Sequence, residues 1–196
     1  TIPVPKGWMF PTKGVVKNEA TEAGRGSQVD VWNIERTIDR GYGVALFYYG
    51  DVEPDNKDQW DGVRYSVLRS KTSQNNPQDW GAVAAWAWGA QRVVDYLVKD
   101  KSVDKKRIAV VGHSRNGKAA LLAGAFDERI SLTISHQSGC GGAAPSRWTV
   151  GESVKQINTA SPHWFNANFK QFNDSPAQLP FDQHELVALC APRPVL

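Results

Sequence analysis

The chain has 196 residues, 41% of them hydrophobic and 22% charged, with a formal net charge of +3. That is enough length and apolar content for one well-buried globular domain, and a small surplus of charge with no block of like sign gives no electrostatic footprint for nucleic acid. No apolar run nears the ~18 residues of a membrane span, and the opening TIPVPKGWMFP has neither the charged flank nor the apolar core of a signal peptide.

One domain over residues 1–196 is therefore expected. It is expected to be incomplete at both ends, because the first residue is Thr1 and the last, Leu196, falls inside an apolar run. Only Cys140 and Cys190 are present, which excludes a disulfide framework and leaves open whether the two pair or stay as buried thiols. The eight tryptophans belong mostly to an aromatic core, although indoles left at a surface make platforms for sugar rings.

In chain order, Val31, Ile34 and Ile38 recur at helical spacing and Gly41 suits the end of that helix. Val44 to Tyr49, VALFYY, is a continuous apolar run of strand length. Two polar stretches, EPDNKDQWDG and SKTSQNNPQDW, read as surface loops. The strongest helix signal follows: Val83, Trp86, Ala87, Ala90, Val93, Val94 and Leu97 form one stripe, with Asp79 placed to cap its start and an end near Lys99.

The polar turn DKSVDKKR leads to a short buried strand at Ile108–Val111, a turn at Ser114 and a helix through AALLAGAF. Another strand is expected at Ile130–Ile134, then a helix over HELVALCAP and a strand at RPV. Strands apolar on both faces that alternate with helices imply an α/β fold, a mainly parallel sheet with helices on both faces in three layers. Ligands bind such sheets at the carboxyl ends of the strands. The loops after Tyr49, Val111 and Ile134 should then share one rim, bringing Gly50 and Asp51, Ser114 and Arg115, and His136 and Gln137 together.

Ser114 lies between an apolar strand and an Ala-rich helix, the setting of a nucleophile elbow. Gly112 fits the usual G-x-S-x-G, but Asn116 stands at the second glycine and Gly117 comes one residue late. A serine here could instead simply cap the helix. The helix start offers unpaired N–H groups to an oxyanion, Arg115 adds a permanent cation, and Lys118, one turn on, can reach the same rim.

With GHSRNGK are found FDERISLTISHQSGCGGAAPSRW, VGESVKQINTASPHWFNANF and DQHELVALCAPRPV, in that order. From about Gly41 to Leu196 the chain resembles carbohydrate esterase family 15, the glucuronoyl esterases. The resemblance implies an α/β-hydrolase that needs no metal or other cofactor. It also implies cleavage of the ester joining 4-O-methyl-glucuronic acid on xylan to a lignin alcohol, through an acyl-enzyme. On that basis Ser114 is the nucleophile, Arg115 holds the oxyanion through its side chain and N–H, Lys118 contacts sugar hydroxyls, and Glu152 and Trp164 line the pocket. The same resemblance gives a polysaccharide or uronic-acid ester as partner, no nucleic acid or membrane, a monomer, and a secreted or periplasmic location.

A serine esterase also needs a histidine base and a carboxylate that orients it. His113, His136, His163 and His184 all read as structural or supporting, so the base is expected beyond Leu196. Some family members carry a Glu where this chain has Gln137, which can orient an imidazole but not balance its charge. The acid is therefore also expected beyond Leu196. Two other readings stand beside this one: a broader carboxylesterase such as an acetyl xylan esterase, and a degenerate hydrolase that binds polysaccharide through its tryptophans.

Overall fold

The computed structural model describes residues 14–16, 19–59, 61–68, 76–148 and 150–196. The opening eleven residues and positions 70–75 of the second polar stretch, both read from sequence above, lie outside these. The chain divides into two compact units, residues 1–46 and 47–196.

In the first unit β1 (Val15–Val16) pairs antiparallel with β2 (Glu19–Ala20). Two short helices follow, α1 (Val29–Trp32) and α2 (Ile34–Asp39). The sequence suggests one helix here, but Asn33 between them takes a left-handed φ of 37° and breaks it. Gly41 ends α2 as expected: at φ 83° its N–H reaches the Ile38 carbonyl while that of Tyr42 reaches back to Thr37, the paired closure that favours glycine.

The expected strand at Val44–Tyr49 is absent. Residues up to Tyr48 are irregular, and Tyr49 begins a one-turn helix, α3 (Tyr49–Val52). Strand propensity only describes fitness for a pleated surface, and no described residue offers this segment a hydrogen-bonding neighbour.

The second unit is built on α5 (Ala82–Leu97), β3 (Ile108–His113), α6 (Arg115–Phe126) and β4 (Ile130–His136), following α4 (Val63–Leu68). β3 and β4 run parallel, in register from Ala109 opposite Leu132 to His113 opposite His136. Thr133 bridges Val195, also in parallel, so the RPV segment continues the sheet beyond β4 as the sequence suggests. Each strand is two residues longer at its carboxyl end than its apolar run. The added residues are Gly112 with His113 and Ser135 with His136, the rim itself.

Ala87, Ala90 and Val94 of α5 pack with Ile108, Ala123 and Ile130, so one face of the helix meets the sheet. Its other side is buried too: at Gly89 a Cβ would come within 2.7 Å of Val52, and α3 closes over it. α6 lies close on β4, with Gly124 leaving no room for a Cβ beside Thr133 Oγ1 at 1.9 Å. Arg193 Nη1 then donates to the carbonyls of Gly124, Asp127 and Ile130 at 2.7–2.9 Å, satisfying acceptors at the end of α6.

Two further helices, α7 (Val154–Ala160) and α8 (Gln183–Ala188), begin on Ser153 and Asp182 caps. Cys140 and Cys190 are both free and buried. Among the described residues no helix is long and apolar enough to cross a membrane.

Candidate active site

The elbow is built by close backbone approach. Ser114 sits at φ 55°, ψ −120°, a conformation that L-residues rarely adopt and that costs about 1–3 kcal/mol. The turn around it is so tight that a Cβ on residue 112 would lie 2.0 Å from the Asn116 carbonyl oxygen. A Cβ on residue 117 would stand 2.9 Å from the His136 oxygen and 3.1 Å from that of Gly112. The second glycine is thus needed at 117, where α6 crosses the end of β4, and Asn116 breaks no geometric requirement. The Ser114 N–H donates to the His136 carbonyl at 3.0 Å, joining the ends of β3 and β4 as one rim.

Arg115, the first residue of α6, turns its guanidinium to Asp55, with Nη1 donating to Oδ2. Asp55 lies in the first polar stretch. That stretch is not merely a surface loop, because Glu53 and the Asp55 side chain are both buried. The other Asp55 oxygen accepts from His163 Nε2 and from Trp164 Nε1, each at 2.8 Å. Burial pushes the Asp55 carboxyl up, but hydrogen bonds from His163 and Trp164 and the Arg115 charge outweigh it and hold it below the ordinary aspartate value.

Trp164 is 8% exposed and forms a floor rather than an open platform. The Arg115 guanidinium carbon stands 5.0 Å and Lys118 Nζ 5.8 Å from its ring centroid, both within cation–π range. Trp164 packs edge-on to Trp86, which packs edge-on to Tyr49. The carbonyls of His163 and Trp164 accept from the Ala82 and Val83 N–H groups at 2.9 and 3.2 Å, capping α5. Asp79, expected in that role, lies two residues short of the actual cap at Gly81, where a Cβ would meet the Trp164 oxygen at 2.1 Å.

Lys118 is buried, with Nζ donating to the Ser138 carbonyl. Burial lowers the affinity of its amine for a proton, and the charge of Glu152 partly restores it. Glu152 is exposed ahead of α7 and borders an open groove of about 730 Å³ with Lys155 and Gln156. Three of the five residues singled out from sequence, Arg115, Lys118 and Trp164, thus stand together beside a fourth, Ser114, while the fifth, Glu152, acts on Lys118 through its charge alone.

The four histidines lie in different settings. His113 and His136 face each other with Nδ1 atoms 3.0 Å apart, His163 is spent on Asp55, and His184 is exposed near Glu185 at 3.9 Å. Gln137 is exposed and takes a φ of 46°. Among the described residues no group of three or more His, Cys, Asp or Glu is placed to hold a metal ion. The residue that sequence reasoning missed is Asp55. Counting rim residues from the end of VALFYY reached only Asp51, four positions short.

Known proteins resemble this chain in sequence and in fold. The sequence profile of fungal glucuronyl esterases matches residues 27–196. A carbohydrate esterase of an unknown prokaryotic organism is 48% identical over 193 residues, which are 97% of this chain and 45% of that protein. A solved structure of a promiscuous esterase of carbohydrate esterase family 15, from a marine bacterial metagenome, superposes with a TM-score of 0.87 at 46% identity, over 100% of this chain and 49% of the other. The glucuronoyl esterase of Solibacter usitatus gives 0.85 at 45% identity, over 92% and 47%. The chain spans about half the length of these relatives, and its fold is the α/β-hydrolase fold they share.

Proposed function

The chain belongs to the glucuronyl esterase family, and from that premise we propose that it carries the nucleophile and acyl-side binding groups of a serine esterase. Its substrate is an ester of glucuronic or 4-O-methyl-glucuronic acid, of the kind that joins glucuronoxylan to lignin. The observation that carries the reading is Ser114 held at φ 55° on the elbow, with Arg115 and Lys118 over one indole beside it.

In the reaction, Ser114 Oγ attacks the ester carbonyl, losing its proton to a base, and the carbonyl electron pair becomes an oxyanion. The N–H of Arg115 and its guanidinium stand at the start of α6, where a developing negative charge is favoured by the helix end as well. Collapse expels the alcohol, which takes the proton, and leaves an acyl-serine that water hydrolyses to the free acid. Lys118 and Glu152 hold sugar hydroxyls, and Trp164 fixes the two cations from below. Among the described residues no hydrogen bond joins any of the four histidines to Ser114 Oγ, so none of them is assigned as the base.

The reading is tested by kcat/KM of the full-length protein on methyl glucuronate and on an acetylated xylo-oligosaccharide. A preference for the uronate ester that falls at least tenfold in Arg115→Ala and Lys118→Ala is expected. Equal preference in parent and variants contradicts it. A broader carboxylesterase is the second reading, favoured by Gln137 and by the promiscuous relative, and it predicts comparable turnover of both substrates. Binding of xylan without turnover would leave only the polysaccharide-binding reading. A secreted or periplasmic monomer fits a plant-polymer substrate, which rests on the family alone.

A further inference from the structure

Arg115 carries more donors than Asp55 uses, and its side chain is 37% exposed while that of Asp55 is only 6% exposed. The guanidinium is held on two sides: an edge on the Asp55 carboxylate, a face on the Trp164 ring. Asp55 in turn is fixed by His163 and Trp164, whose carbonyls are locked onto the start of α5. An arginine at the head of a helix has several free torsions. Here its position is decided by a buried anion on another loop.

We propose that Asp55 is the positioning residue for Arg115 and that its negative charge makes the site select a neutral uronate ester over the anionic uronate product. This rests on the esterase reading above. The substrate ester carries no charge, whereas the acid released does, and an unbalanced Arg115–Lys118 pair would hold that anion. Asp55 sets a carboxylate directly against the Arg115 cation. The guanidinium therefore keeps donors for an oxyanion that exists only in the transition state, while the ground-state pull on a carboxylate product is reduced.

The other groups facing Asp55 fit the assignment. Tyr49 stands against both Asp55 and Arg115, its phenol pushed up by burial and by the Asp55 charge, so it remains a neutral donor. His163 turns Nε2 to Asp55, and its Nδ1 finds no partner among the described residues. Among the described residues Asp55 is the one anion in direct contact with Arg115.

The test compares Asp55→Asn and Asp55→Glu with the parent in the full-length protein, using methyl glucuronate as substrate and glucuronate as competitive inhibitor. In Asp55→Asn, kcat should fall ~10- to 100-fold, since a misplaced oxyanion donor costs up to the ~10²–10³ of a lost one. The inhibition constant for glucuronate should tighten roughly five- to tenfold, as expected when one like charge is removed near the bound carboxylate in a partly solvated site. Asp55→Glu keeps the charge and shifts the position, so its kcat falls while its glucuronate inhibition stays near the parent's. A merely structural role would lower the active fraction and move neither KM nor the inhibition constant, and that result overturns the proposal. Failure of the parent to hydrolyse methyl glucuronate takes down the esterase reading and this one together; hydrolysis by the parent with Asp55→Asn indistinguishable from it overturns this one alone.

Discussion

Two buried carboxylates two residues apart, Glu53 and Asp55, each hold an arginine, and the two pairs are built for different ends. Glu53 is fully buried and its Oε1 accepts from Arg64 Nε at 2.7 Å while Oε2 accepts from the Arg64 N–H at 3.0 Å. Arg64 is itself only 6% exposed, with Nη1 near the carbonyls of Trp80 and His163, and the Glu53 carbonyl accepts from Trp86 Nε1 at 2.8 Å. That pair is buried on both sides and ties the loop to the core. The Asp55 pair has the same chemistry with one side open, because its arginine is a third exposed next to the nucleophile. An ion pair buried on both sides fixes a fold; one buried only on the carboxylate side can present a preset cation to a ligand.

The comparison predicts a clean separation of stability from activity. Glu53→Ala should be the most destabilising change, by about 3–5 kcal/mol in urea melts, because it takes the carboxylate away from a buried guanidinium. Asp55→Ala should cost less, about 1–3 kcal/mol, since Arg115 can turn toward water and only the His163 and Trp164 donors lose their acceptor. If the two losses were equal, the pair open on one side and the pair buried on both would not differ as described. Lysine replacements sharpen the contrast: Arg64→Lys should lower the melting temperature with little change in kcat per folded molecule, and Arg115→Lys should do the reverse.

The smallest effect is a pH dependence. The folded Asp55 carboxyl titrates below its unfolded value of about 3.9, because hydrogen bonds from His163 and Trp164 and the Arg115 charge overcome its burial. Its contribution is therefore complete above that unfolded value and is lost as pH falls through the lower, folded one. In acid melts Asp55→Asn should flatten the loss of stability below about pH 4. An unchanged acid limb would mean that the carboxylate gains nothing from its partners.

What the sequence disclosed follows distance along the chain. Ser114, Arg115 and Lys118 sit within one helical turn, so a strand, a turn and a helix start were enough to place them. The displaced glycine looked like a defect until the fold put Gly117 against the His136 carbonyl. Asp55 is sixty residues from Arg115 and 108 from His163, and no local pattern marks an aspartate in a polar loop as buried. The same limit explains Asp79, displaced as a cap by backbone carbonyls from His163 and Trp164, and the VALFYY run, whose strand character needs a neighbour that sequence periodicity does not supply. Asn33 broke a helix whose apolar spacing was correct, because a residue in the left-handed region interrupts the ladder whatever its neighbours bury.

The central claim is that Ser114 is the acylated residue. Its direct test is turnover of methyl glucuronate by full-length parent and Ser114→Ala at equal concentration, with the glycan-free ester monitored by release of methanol. The account predicts a loss on the order of 10⁶ in kcat, the usual cost of removing a nucleophile, with binding of glucuronate retained. Turnover by Ser114→Ala at a rate near the parent's would contradict it.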